Sequence, residues 1–168
     1  LKKITNINGA LTGNPEWSRN GDVLAFDSQK DGFSNIYIVD TLGMDQYQFT
    51  TGEHNDKAPS WSKEGDFIYF ASDRNGDWEV WKKQTNGNRP VQVTTAGGFF
   101  AQESVDGNYL FFTKRQQDGI WSKNLTTGIE QLLIDDLADK DWGNWEVSDK
   151  GIYYISRLGG SERSELRF

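Results

Sequence analysis

Apolar residues in this chain come in short runs, divided by polar clusters rich in Gly, Asn, Asp and Ser. The stretch from Ala58 to Thr94 shows the pattern best. Ala58–Ser62 reads as a short strand, with Pro59 near its start, where no ladder donor is needed. Lys63-Glu64-Gly65-Asp66 reads as a tight turn in which Gly65 can take positive φ. Phe67–Ser72 is a nearly continuous apolar run, as expected of a strand covered on both faces. Asp73-Arg74-Asn75-Gly76-Asp77 is a turn of residues that bond their own backbone. Trp78–Lys82 alternates apolar and polar, Thr85–Asn88 turns again, and Pro90–Thr94 gives a fourth strand. A helical period surfaces only around Gln131–Leu137.

The same order recurs. Trp17-Ser18-Arg19-Asn20-Gly21-Asp22 matches Trp61-Ser62-Lys63-Glu64-Gly65-Asp66, and weaker copies stand at Glu103–Asn108 and Val147–Gly151. The turn glycines Gly21, Gly65, Gly107 and Gly151 lie 44, 42 and 44 residues apart. A period near 44 with four short strands per repeat marks an all-β chain, a β-propeller of four-stranded antiparallel blades. The expected blades are about 14–50, 58–95, 101–134 and 144–168. The first holds strands at Pro15–Ser18, Val23–Ser28, Asn35–Asp40 and Gln46–Thr50. The third holds Ala101–Ser104, Tyr109–Lys114, Gly119–Asn124 and Glu130–Ile134, and the fourth Asn144–Ser148, Ile152–Ser156 and a strand around Glu165–Phe168. Leu1-Lys2-Lys3-Ile4-Thr5 is similar to Val91–Thr95, so residues 1–5 are expected as the outer strand of a split blade. An arc of a six- or seven-bladed ring is favoured over a closed four-bladed ring, because the chain ends without a turn or cap and does not open on Met. An arc exposes two blade flanks, which suits a homodimer through open blade edges.

Composition narrows the function. The net charge of −7 argues against a nucleic-acid surface. The absence of Cys removes disulfides, thiolate metal sites and a thiol nucleophile. No apolar run approaches the roughly 20 residues needed to span a membrane. Seven Trp at an aromatic content of 14% suit the wedge-shaped seams between blades, and Trp17 and Trp61 are expected as equivalent, buried core positions.

Catalytic equipment is sparse. His54 is the only histidine, and no Gly-x-Ser-x-Gly elbow supplies a nucleophile for it. One histidine also cannot make a multi-histidine metal site. Asp73–Glu79 offers alternating oxygens, but its glycine is misplaced for a calcium loop, and a turn accounts for the segment. The acidic cluster Asp135, Asp136, Asp139 and Asp141 reads as a solvated loop. No catalytic residue, metal or cofactor is expected. Phe99-Phe100 stands out, because two adjacent rings cannot both point inward on a strand.

Pro59-Ser60-Trp61-Ser62-Lys63-Glu64-Gly65 with Ile68–Gly76, and Asn14–Gly21 with Ile36–Asp40, resemble the repeat of TolB-like β-propellers. Val93-Thr94 is similar to the Leu-Thr that ends such a repeat. The resemblance covers essentially the whole chain and implies a periplasmic protein that binds partners of the cell envelope. Nothing here matches the domain that precedes the TolB propeller. The same blades occur in propellers attached to serine peptidases and in sensor domains of membrane-anchored winged-helix regulators, which the fourth repeat resembles most.

Blade geometry puts the strand-two-to-three loops and the blade-to-blade crossovers on one face. That face carries His54, Asn55, Asp56, Arg74, Phe99, Phe100, Arg115 and Trp142, the expected site for a protein or peptide. The expectation is a non-enzymatic interaction module without membrane insertion. The alternative is a regulatory or substrate-gating propeller of a serine peptidase or other hydrolase.

Overall fold

The structure is a computed structural model that describes residues 3–5, 11–30, 32–87, 89–157 and 164–168. Its strands form four antiparallel sheets, each a blade in chain order. Blade 1 is β1 (Leu11–Trp17), β2 (Val23–Lys30), β3 (Phe33–Asp40) and β4 (Gln46–Gln48). Blade 2 is β5 (Asp56–Trp61), β6 (Phe67–Ser72), β7 (Glu79–Gln84) and β8 (Val91–Gln92). Blade 3 is β9 (Ala101–Glu103), β10 (Tyr109–Lys114), β11 (Gln117–Asn124) and β12 (Glu130–Ile134). Blade 4 is β13 (Trp145–Val147), β14 (Ile152–Arg157) and β15 (Ser164–Arg167). The inner strands β1, β5, β9 and β13 neighbour one another in turn.

The repeated Ser-x-x-Gly segments fold alike. Gly21, Gly65 and Gly107 hold φ of 74°, 77° and 76°, a region glycine enters without steric cost. In each, the glycine N–H bonds the Ser carbonyl. The Ser Oγ of Ser18, Ser62 and Ser104 then accepts the N–H of the first β2-type residue at 3.1, 3.0 and 2.9 Å. The fourth copy lacks the residue after glycine. Ile152 therefore follows Gly151 directly, φ opens to 150°, and Ser148 N–H bonds the Gly151 carbonyl instead.

Three seams are packed. Ala25, Ile36 and Ile38 meet Ile68, Phe70 and Trp81 between blades 1 and 2. Tyr69 and Val80 meet Ala101, Leu110 and Phe112 between blades 2 and 3. Ile120 and Leu137 meet Trp145 between blades 3 and 4. The far face of blade 4 leaves Leu166 and Phe168 exposed, whereas Phe26, Tyr37 and Val39 on the far face of blade 1 are buried with Ile4 packed on them; the four sheets form an arc.

Trp17 shows the consequence. It pairs with Leu24 as Trp61 pairs with Ile68, so the two positions are equivalent. Yet Trp61 packs into the seam with blade 1, donating its indole N–H to the Glu16 carbonyl at 3.1 Å, whereas Trp17 is 54% exposed. The expected burial of Trp17 fails because, among the described residues, no further blade lies on its side of blade 1, and Ile4 covers Phe26, Tyr37 and Val39 there. Residues Gln131–Ile134 belong to strand β12, which corrects the helical reading, and Leu137 turns into the blade 3–4 core. Of the expected outer strand, the described residues Lys3–Thr5 lie outside any strand. Ile4 instead packs on Phe26, Tyr37 and Val39. Leu1 and Lys2, the start of the expected outer strand, lie outside the described residues.

Candidate functional site

The loop-face residues separate into two groups. The first closes the seam of blades 1 and 2. Asp73 accepts both the backbone N–H and the side-chain amide of Asn55, at 2.7 and 2.8 Å. Asn55 in turn accepts the Ser34 N–H at 3.1 Å, which ties blade 2 to blade 1. The Asp73 carboxylate is thus spent on loop anchoring. Asp56 is fully buried and receives Arg74 Nη2 on both oxygens, at 2.9 and 3.1 Å. The Arg74 guanidinium lies 4.6 Å over the Trp81 ring, and its Nε donates to Ser72 Oγ at 2.9 Å. His54 Nε2 stands 3.5 Å from Asp56. Its ring lies so close to Gly52 that a Cβ there would meet His54 Cε1 at 2.1 Å. His54, Asn55, Asp56 and Arg74 therefore form one clamp with most of its polar capacity satisfied internally.

The second group lies where blades 2, 3 and 4 converge. Phe99 packs edge-on against Trp78 and Trp142, at 5.1 and 4.9 Å between ring centres. Phe100 packs edge-on against Trp142 and Trp145, at 5.9 and 5.2 Å. Both adjacent rings find cover because they sit on an irregular crossover rather than a strand, and Phe99 is only 5% exposed. Arg115 lies over the Trp78 and Phe99 rings, at 5.5 and 5.3 Å. Phe99, Arg115 and Trp142 line one cavity of about 400 Å³, together with Lys57 and Lys140.

An adjoining cavity of about 440 Å³ is lined by Glu16, Pro59, Phe100, Trp145 and Glu146. Burial, and then the Glu146 carboxylate, raise Glu16 from 4.5 to about 7. Gln102 links to the same group, donating to Glu146 at 3.0 Å and accepting the Val147 N–H at 2.8 Å. Sequence reasoning missed this inner ring, although its signal was present. Glu16, Ser60, Gln102 and Glu146 each precede their turn glycine by five residues. It also missed Lys57, Lys140 and Trp78, which no motif joins. Between blades 2 and 3, Tyr69 donates to Glu103 at 2.7 Å. Burial first, and then that bond to Glu103, push the phenol well above its ordinary range.

A further hollow of about 580 Å³ opens on the opposite face between blades 1 and 2, floored by Val23, Ile38, Tyr47 and Trp61. Among the described residues no group of three or more His, Asp and Glu is placed to hold a metal, and no helix is long and apolar enough to cross a membrane.

The family model of the TolB beta propeller domain matches residues 1–164. No curated protein matches the sequence. Among solved structures, TolB from Acinetobacter baumannii is similar at TM-score 0.71 and 19% identity, over 98% of this chain and 46% of that one. A protein described as TolB from Agrobacterium tumefaciens gives TM-score 0.67 and 20% identity, over 80% and 54%. A puromycin-hydrolysing peptidase of Mycobacterium tuberculosis gives 0.61 and 16%, over 93% and 26%. The chain thus spans about half the length of the TolB structures and about a quarter of the peptidase.

Proposed function

The chain belongs to the TolB beta propeller domain family, and from that membership we propose that it is a non-enzymatic binding module that holds a protein or peptide of the cell envelope on its loop face. One observation carries the reading. Loops from blades 2, 3 and 4 converge on a cavity bordered by Phe99, Arg115 and Trp142, and aromatics with Arg are the side chains that contribute most at interfaces. The strands beneath hold these loops rigidly, as recognition on a scaffold requires. The TolB resemblance favours a periplasmic setting.

The test is capture from the envelope fraction of the producing cells. Arg115→Ala with Lys140→Ala on the loop face should abolish capture of a defined partner. Arg19→Ala with Glu64→Ala on the turn face should leave it intact. Loss through the turn-face pair alone would overturn the reading.

The second reading is a propeller that gates or regulates a hydrolase. Its support is the peptidase likeness, which concerns the fold alone. A hydrolase domain encoded in the same reading frame would favour it.

A further inference from the structure

The protein carries a net charge of −7, yet three cations line the loop-face cavity: Lys57 from β5, Arg115 from the β10–β11 turn and Lys140 from the blade 3–4 crossover. Among the described residues none of the three takes part in an ion pair or a side-chain hydrogen bond. The contrast with Arg74 is direct. That guanidinium also stacks on aromatic rings, but its N–H groups are bound to Asp56 and Ser72.

Arg115 has the stacking without the acceptors. Trp78 and Phe99 support the face of its guanidinium, so its orientation is held while its edge N–H groups stay open. A planar fork of that kind matches a carboxylate bidentately. The turn that carries it is strained. Gln116 holds φ of 61°, a left-handed conformation unfavourable for a non-glycine residue, and it lines the same cavity. The acids nearby do not cancel the site. Asp27 is buried and accepts from Asn14 and from the Ala58 N–H, at 2.5 and 3.0 Å. Asp139 is exposed on the rim. The adjoining cavity shares Lys140, but its other charged residues are the acids Glu16, Asp141 and Glu146, so an anion is favoured in the first cavity over the second.

We infer that this loop-face cavity docks an acidic segment of the partner, with an Asp or Glu side chain bound edge-on to Arg115 and flanked by Lys57 and Lys140. This inference rests on the loop-face reading and names the chemistry of what that face takes.

Acetylated, amidated hexaglutamate and hexaglutamine are the probes, added to the intact isotope-labelled chain. Chemical shifts of the Arg115 Nε–H and of the Trp78 and Trp142 indole N–H report binding. Hexaglutamate should move these signals and hexaglutamine should not. The affinity should fall steeply with salt. Arg115→Gln should weaken it about tenfold or more, and Arg115→Lys by less, since the charge stays and the fork goes. Both variants should keep the wild-type melting temperature. The inference is overturned if hexaglutamine binds equally, if the shifts map to Arg19 and Lys63, or if inorganic phosphate at the same concentration reproduces them. Continued envelope capture by the loop face in any of those cases would leave the binding-module reading standing, so the two failures are distinguishable.

Discussion

Glu16→Gln should stabilise the protein in alkaline solution and leave it nearly unchanged in acid. Glu16 lies on the inner strand β1, where burial first and Glu146 second raise its carboxyl from 4.5 to about 7. The unfolded chain releases this proton near 4.5, whereas the folded chain holds it to about 7. Between those values the folded state binds more protons, so stability falls as pH rises through that window and is flat above it. Each pH unit is worth up to about 1.4 kcal/mol, which sets a ceiling of about 3 kcal/mol. The cavity opens to water and Glu146 is exposed, so screening reduces the expected penalty to about 1–2 kcal/mol. Glutamine keeps the shape and removes the charge. Urea denaturation followed by tryptophan fluorescence at pH 4.5, 6, 7 and 8.5 measures the effect. The two proteins should coincide at the lowest pH and separate progressively, with the variant about 1–2 kcal/mol more stable at the highest. A constant offset at every pH would mean that packing, not ionisation, sets the difference. A variant less stable at pH 8.5 would refute the buried-carboxyl argument altogether.

Gly65→Ala isolates backbone strain, because a Cβ at that glycine meets nothing within 4 Å while φ is 77°; it should cost about 1–2 kcal/mol in denaturant midpoint, and no change would show that the turn relaxes freely. Trp61→Ala should cost about 2–4 kcal/mol by opening a seam, whereas Trp17→Ala at the equivalent but 54% exposed position should cost under about 1 kcal/mol; equal losses would contradict the open flank of blade 1. Asp56→Asn leaves Arg74 without its carboxylate at a buried position and should cost about 2–4 kcal/mol by thermal or chemical denaturation.

Much of the fold was legible because each blade repeats its own instructions. Gly65 and its counterparts announce the turn, and the run Phe67–Ser72 announces a doubly covered strand, which it is. Pattern identifies which side of a sheet a residue takes, but not whether another sheet lies there. That is why Trp17 reads the same as Trp61 and behaves differently. The shortened fourth turn, with Ile152 directly after Gly151, could have been read from spacing alone. The site was legible only in part. Phe99, Phe100, Arg115 and Trp142 do come together, because blade-to-blade crossovers and strand-two-to-three loops share a face. His54, Asn55, Asp56 and Arg74 share that face too, but Arg74 and His54 turn to Asp56 and Asn55 turns to Asp73 and Ser34. Which cation stays unpaired depends on side-chain partners contributed by other blades, and no local motif encodes that. Lys57 and Lys140 therefore passed unnoticed, as did the ring begun by Glu16 and Glu146.

Site-specific photo-cross-linking tests the central claim, that the loop face is the binding surface. A photoreactive phenylalanine is placed in turn at Gln116 on the loop face, Glu64 on the turn face and Leu166 on the blade 4 flank, in the producing cells. The account predicts an adduct of one defined partner mass from position 116 and none from 64 or 166. Adducts confined to 64 or 166, or none from 116 while the protein is folded, would contradict it.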